Sequence, residues 1–333
     1  MKKYIVKRLL WIIPIMLLIS FIAFSLMYLS PGDPAVIYLS QGGDAPAAEA
    51  VEELQQKLGL DESFFTQYIR WLGKLFHGDM GTSIFTGNPV KEEILRYFPN
   101  TLKLTLLGML LTLLISIPLG VLCAIQENRW LDLLIRGLTF VTGSLPGFFA
   151  AMLLTYFLGV RLKWLPTISS GKRIGILMPA LTLALCLSAT YIRQIRAAVV
   201  KELGENYIRM ERARGLKERI VLYQGALRSA MPSIMTVAGI NIGNLLGGTA
   251  IIEMVCTYQG MGRLAVDSIT NRDYPLMQGY VLVMAVVYVL VNLVVDIAYA
   301  YMDPRVKQEY ILEGMKGAES GRKDRKNRKI SSE

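Results

Sequence analysis

The chain has 333 residues, of which 53% are hydrophobic and only 19% charged, and its formal net charge is +10. A composition this apolar excludes an ordinary soluble domain of this length. The positive charge follows the membrane topology derived below, so it is no sign of a nucleic-acid partner.

Six runs, at 9–29, 102–125, 133–160, 176–195, 234–256 and 277–302, are long and apolar enough to cross a hydrocarbon core of about 30 Å. Backbone groups find no partners in lipid, so these runs are predicted to be helices and the fold an all-α polytopic membrane protein with six transmembrane helices. Six spans place both termini on one side. That side receives Lys2, Lys3, Lys7 and Arg8, the 126–136 and 193–232 loops and the tail, with 24 of the 36 Lys and Arg residues. The positive-inside rule makes it cytoplasmic. The external side receives 31–99, a short loop at 161–173 and 257–275.

In chain order, the basic start and first apolar run share features with a signal peptide. The run exceeds the usual length of about 7–15 residues and no small-x-small cleavage site follows, so an uncleaved span is expected. Ser30, Pro31, Gly32, Asp33 and Pro34 mark a turn at the membrane exit. A helix is predicted over 45–60, with Val51, Leu54 and Leu58 at helical spacing and Gly59 ending it. A second is predicted over 64–76, with Phe65, Tyr68, Ile69, Leu72 and Phe76 on one side, packing on lipid or on the bundle. A turn follows at 78–81. The domain division expected is a first span at 1–30, an extracytoplasmic segment at 31–96, a transporting domain at 97–302 and a basic cytoplasmic tail at 303–333. The tail either touches anionic lipid or is simply solvated.

Within the spans, Pro118, Pro146 and Pro179 are expected to kink three helices. In the fifth span Gly239, Gly243 and Gly247 recur every four residues, a face that lets another helix approach closely. Asn241 and Asn244 in the same span either bond to a neighbouring helix or line a polar path. Glu253 and Asp296 are the clear ionisable residues inside spans; each either pairs locally or serves transport. Cys123, Cys186 and Cys256 lie in or at the ends of spans as packing residues, and His77 is the sole histidine, so no metal site is expected. No phosphate-binding glycine loop, HExxH, GxSxG or paired carboxylate is present, so neither ATP binding nor covalent catalysis by this chain is expected.

The most informative stretch is the loop at 202–232. Asn206 is expected to cap a short helix, Gly215 to close it in a left-handed turn, and a second amphipathic segment to run on to Pro232. On that short helix Tyr207, Met210 and Ala213 form a narrow, less polar edge, with Arg209, Arg212 and Arg214 around it. Such a helix suits a groove on another protein; a basic loop held at lipid headgroups is the alternative.

Tyr207, Ile208 and Arg209, then Ala213, Arg214, Gly215 and Leu216, then 226–232 ending in Met231 and Pro232, resemble the EAA loop of binding-protein-dependent ABC importer permeases of the dipeptide, oligopeptide and nickel branch. Met210 and Glu211 depart from the small residues usual there, and Met231 and Pro232 end the loop one residue early. The resemblance extends to 4–34, 78–83, Pro99 to Leu102, Gln259 to Leu264, Arg272, Asp273, Tyr274 and Pro275, Gln278 and Gly279, Asp296 and 303–305.

The resemblance implies a type I ABC importer permease fold, the first permease of a pair, and a coupling helix carrying Tyr207, Arg209, Met210, Glu211, Arg212, Ala213, Gly215 and Leu216. It implies a homologous second permease, two ATPase subunits holding ATP and Mg, an extracytoplasmic substrate-binding protein and a cell-membrane location. It implies no cofactor bound by this chain itself. A dipeptide or oligopeptide is the expected cargo, with nickel or a metal chelate as the alternative. A stand-alone secondary transporter is the rival from another class.

Overall fold

A computed structural model describes residues 2–29, 34–40, 47–58, 61–172 and 174–302. Among them the chain is helical, with no strand and one isolated bridge between Thr82 and Pro89. Residues 30–33 of the expected 30–34 turn, the stop at Gly59 and the tail at 303–333 lie outside the described residues.

Helix α1 (Lys2–Tyr28) is followed by α2 (Pro34–Leu39), α3 (Ala48–Leu58) and α4 (Phe64–Phe76). Ser63 caps α4 by accepting from the Thr66 N–H at 3.4 Å. α4 lies on α1 through ring contacts: Phe21 meets Phe64 and Tyr68 edge-to-face at centroid distances of 5.7 and 5.5 Å, and Phe24 meets Trp71, tilted, at 5.5 Å. The edge facing α1 therefore carries Phe64, Tyr68 and Trp71, each half-buried. Of the stripe expected to pack on lipid or on the bundle, Tyr68 lies against α1 and Leu72 is half-buried, while Phe65, Ile69 and Phe76 are exposed.

The bundle proper begins at α5 (Val90–Ile125), 36 residues long. After it come α6 (Trp130–Ser144), α7 (Gly147–Leu154) with a π-helical extension at Thr155–Arg161, and α8 (Leu177–Leu203). α9 (Asn206–Ala213) and α10 (Glu218–Ile220) form the loop, and a π-helical stretch, Val221–Leu227, leads into α11 (Arg228–Gly248). α12 (Ala250–Val255), α13 (Met261–Thr270) and α14 (Tyr274–Met302) complete the described chain.

The centre of the bundle is the α5–α8 pair, with α11 against α14, α1 beside α14 and α6 beside α8. Thr101, Thr105, Gly108, Thr112, Ser116 and Gly120 make a buried stripe of small residues along α5. A Cβ on Gly120 would lie 2.7 Å from Ile195 Cγ2 and 3.1 Å from the Ile192 carbonyl oxygen, so α8 can approach this closely only over a glycine.

Three helices among the described residues, Val90–Ile125, Leu177–Leu203 and Tyr274–Val295, are long and apolar enough to cross a membrane, and a bent pair makes up to four. That is fewer than the six spans expected. The third expected span is the pair Trp130–Ser144 and Gly147–Arg161, bent by 104°. Pro146 precedes the second member and supplies no N–H to continue the first. The fifth expected span is divided at Thr249 between α11 and α12, and α11 carries Ser233, Thr236, Asn241 and Asn244. In α1 the described apolar stretch is Ile12–Tyr28. Pro118 lies inside α5, but Pro179 falls in the first turn of α8, where its missing N–H breaks nothing.

Candidate functional site

α9 hangs on the end of α8 through Gly204 and Glu205. Asn206, expected as its cap, is instead the first helical residue; Glu205 precedes it in an extended conformation, without a side-chain cap bond. The far end is as expected. Gly215 has φ of 75°, its N–H donates to the Arg212 carbonyl at 2.9 Å, and the Leu216 N–H reaches the Glu211 carbonyl at 3.4 Å. This pair of bonds is a Schellman closure, which requires a left-handed residue where glycine carries no Cβ penalty. Pro232, expected to end the following segment, lies inside α11, where it has no N–H to give the carbonyl four residues back.

Ile208 is the inward anchor of α9, fully buried with Val221 and Ala226 and flanked by Leu203 and Tyr207. Glu211 lies on the same side, half-buried, with Oε2 buried and unpartnered. Both rest over Gly225, where a Cβ would meet Glu211 Oε2 at 2.6 Å and Ile208 Cδ1 at 3.0 Å. Tyr207 is half-buried and donates to Glu202 Oε2 at 2.7 Å. Burial, and then that carboxylate, push its phenol above the ordinary value, so it stays a donor. Arg212 forks onto Glu218 at 2.9 and 3.3 Å and ties α9 to α10. Arg209, Met210, Ala213 and Arg214 are exposed. Met210, Leu216, Ile220 and Tyr223 thus give the loop exposed apolar surface. Ile208 entered the sequence reading only as part of the loop motif, and Gly225 not at all: in a stretch as charged as 208–221 no apolar periodicity marks Ile208 as the inward residue.

At the same end of the bundle, Asp132 in the first turn of α6 is fully buried and accepts from Arg196 of α8 at 2.8 Å through each oxygen. The Asn128 N–H adds a third bond at 2.9 Å. Sequence reading missed this pair because 64 residues separate its members and each sits near a span end, where charge is unremarkable.

The opposite end is closed by two carboxylates. Glu253, fully buried, accepts from the hydroxyls of Thr101 and Thr249 at 2.8 Å each, and from the Arg263 N–H at 3.0 Å. Arg263 is the third residue of α13, so Glu253 caps that helix from outside it, where the macrodipole favours an anion. The Met261 N–H donates to Thr101 at 2.7 Å. Burial, and then Glu253, push the Tyr258 phenol up to about 12; it donates to the Asn100 carbonyl at 3.0 Å.

Asp273 is buried and caps α14 by accepting from the Leu276 N–H at 3.3 Å. The same carboxylate accepts from the Ser83 hydroxyl and from the N–H groups of Ile84 and Phe85 at 3.1 and 3.3 Å. Tyr274 is buried and Pro275 half-buried beside it. Two motifs far apart in sequence are thereby fastened together.

On α11, Gly239 faces Val295, and a Cβ on Gly243 would lie 3.3 Å from the Tyr288 ring, so both pack on α14. Gly247 has nothing within 4 Å of its Cβ position. Asn241 donates to the Val237 carbonyl of its own helix at 2.9 Å, and Asn244 is exposed. The Asp296 side chain lies outside the described residues.

The comparisons place this bundle, with its short closed helix at one end and capped loops at the other, among the permease subunits of ABC importers, which are transport components rather than enzymes. The chain belongs to the family of binding-protein-dependent transport system inner membrane components, whose profile matches residues 116–308, and the N-terminal profile of the same systems matches 1–105. It is 38% identical over 309 residues to the glutathione transport system permease protein GsiC of Salmonella paratyphi A, covering 92% of this chain and 99% of that protein. GsiC of Escherichia coli is 36% identical over 307 residues, with the same coverage. In fold, the chain is similar to a subunit of the inward-facing methionine ABC transporter MetNI, with a TM-score of 0.53, 18% identity, and coverage of 63% of this chain and 96% of that one.

Proposed function

We propose that the chain is the first permease of a pair in an importer of dipeptides or oligopeptides, driven by two ATPase subunits that hold ATP and Mg and supplied by an extracytoplasmic binding protein. The observation that carries this reading is α9: a helix fixed from beneath by Ile208 and closed at Gly215, with Met210, Arg209, Arg212 and Arg214 facing outward. An apolar anchor in a charged rim is the chemistry of a helix-in-groove contact. The relatives named for glutathione, itself a tripeptide, support a peptide cargo over nickel. The remaining spans of a six-span topology would come from α1, the bent α6–α7 pair and the α11–α12 pair, with both termini cytoplasmic. Asp273, Tyr274 and Pro275 would hold the face that receives the binding protein, and Asn241, Asn244 and Gly247 would border the path.

The test is Gly215→Pro, which removes both the left-handed turn and the N–H donated to Arg212. The chain should insert and assemble normally while substrate-stimulated ATP hydrolysis is lost. Normal stimulation would reject α9 as the coupling element. Uptake of labelled dipeptide, glutathione and nickel in a deletion strain assigns the cargo, and transport by the chain alone under an ion gradient would favour a secondary transporter.

A further inference from the structure

Arg196 stands two turns before the end of α8, the helix that continues into α9. Its guanidinium holds Asp132 through two bonds of 2.8 Å, and Glu127 lies 3.7 Å from the same group. Asp132 also accepts from the Asn128 N–H, in a turn where Asn128 takes φ of 59°. One charged joint therefore binds α8, the α5–α6 turn and the first turn of α6. The rest of the α6–α8 contact includes Ile135 with Cys123 and Ile192, and Gly143 near Ala189 and Arg193, with no second ion pair among the described residues. On its other side α6 exposes Leu133, Leu134, Leu138, Phe140 and Val141, so it is held from the α5–α8 side alone. A buried ion pair adds little stability over an apolar pair of the same volume, but its fork geometry selects one register. A mechanical joint needs such a fixed arrangement if motion at one element is to bias another.

We propose that Asp132 and Arg196 are positioning residues for energy coupling: they lock α6 to α8, so that displacement of α9 carries the bent α6–α7 pair with it. The proposal rests on α9 as the ATPase-docking helix. Without the lock, α8 would move while α6 stayed behind, and nucleotide would be turned over without opening the bundle.

The test uses the complete complex with spin labels at Leu138 on α6 and Ala197 on α8, measured by pulsed electron resonance without nucleotide and with ATP trapped. In the otherwise unaltered complex the separation should stay constant between the two states. In Asp132→Asn and in Arg196→Gln it should change by about 2 Å or more, the scale of interhelical shifts. The double variant should match the worse single one, because the pair acts as a unit. In proteoliposomes, ATP hydrolysed per labelled glutathione taken up should rise at least about 5-fold in each. Purely structural support would instead lower the yield of assembled complex and leave both the separation and the ratio unchanged, which would overturn the proposal. So would a separation that already shifts with Arg196 and Asp132 intact. If Gly215→Pro uncouples the complex but Asp132→Asn leaves the separation fixed, the joint alone is rejected; if Gly215→Pro has no effect, the docking reading fails first.

Discussion

The Ser83 hydroxyl donates to the Asp273 carboxylate across 190 residues of sequence, and that carboxylate also caps α14. Four donors converge on one buried side chain, three from the 83–85 turn and one from the helix. Bonds to a charged acceptor exceed neutral ones, and their loss leaves buried donors unsatisfied. Asp273→Ala should therefore destabilise the chain by about 3 kcal/mol, from the lost cap and the stranded donors. Ser83→Ala should cost about 1 kcal/mol. Thermal unfolding of detergent-purified protein reads both, with proteolysis at 78–87 as the local readout; equal midpoints for the two variants would count against this clasp.

Gly260 and Glu253 make a second, testable pair. Gly260 has ordinary backbone angles, φ −123° and ψ 178°, so alanine is strained there only by space. Its Cβ would lie 2.5 Å from the Glu253 carboxyl group. Gly260→Ala should cost about 1–3 kcal/mol by overpacking. Glu253→Ala removes the obstacle but strands Thr101, Thr249 and the α13 N-terminus. The double variant should be less damaged than the two single costs added, by at least about 1 kcal/mol. Simple additivity in unfolding midpoints would show that the two do not touch.

These pairs show what sequence could reveal and why the rest stayed hidden. The position of α9 and the turn at Gly215 were legible because caps and left-handed glycines are local signals. Asp273 was legible as part of a motif, and its partner motif at 78–83 as a turn, but their contact was not, since nothing in either segment encodes the other. Glu253 reads from sequence equally as a local pair or a transport residue, because its three donors lie on α5, at the break before α12 and on α13. The span count suffered from the opposite problem. Hydropathy sums residues without regard to direction, so it reads straight through the bend before Pro146 and the break at Thr249. The small-residue stripe of α5 was overlooked beside the more conspicuous glycines of α11, because threonine and serine at 101, 105, 112 and 116 do not interrupt an apolar run.

Gly225 sets the height of α9. A methyl there would strike Glu211 Oε2 and Ile208 Cδ1, so Gly225→Ala should lift the helix off its seat. Substrate-stimulated ATP hydrolysis should fall about 10-fold, equivalent to about 1.4 kcal/mol of lost coupling. Glu211→Ala in the same chain should restore most of it by making room. Alone, Glu211→Ala should leave stability equal or slightly higher, because it removes a buried, unpartnered carboxylate oxygen. If the double variant is as impaired as Gly225→Ala, Glu211 is not what the methyl meets.

The glycines of α11 separate packing from passage. Gly239→Ala would drive a methyl into Val295 of α14 and should cost about 1–3 kcal/mol, seen as a lower yield of monodisperse complex. Gly247→Ala meets nothing within 4 Å and should change stability by less than about 0.5 kcal/mol. The same openness makes Gly247 the sharper probe of the path, together with exposed Asn244 one turn earlier. Gly247→Trp places a large side chain in that space without disturbing the α11–α14 contact. On the path reading, assembly and basal ATP hydrolysis stay normal while uptake of labelled peptide is blocked. Uptake at the unaltered rate would mean that this side of α11 faces lipid or another subunit, and the path would have to be sought elsewhere in the bundle.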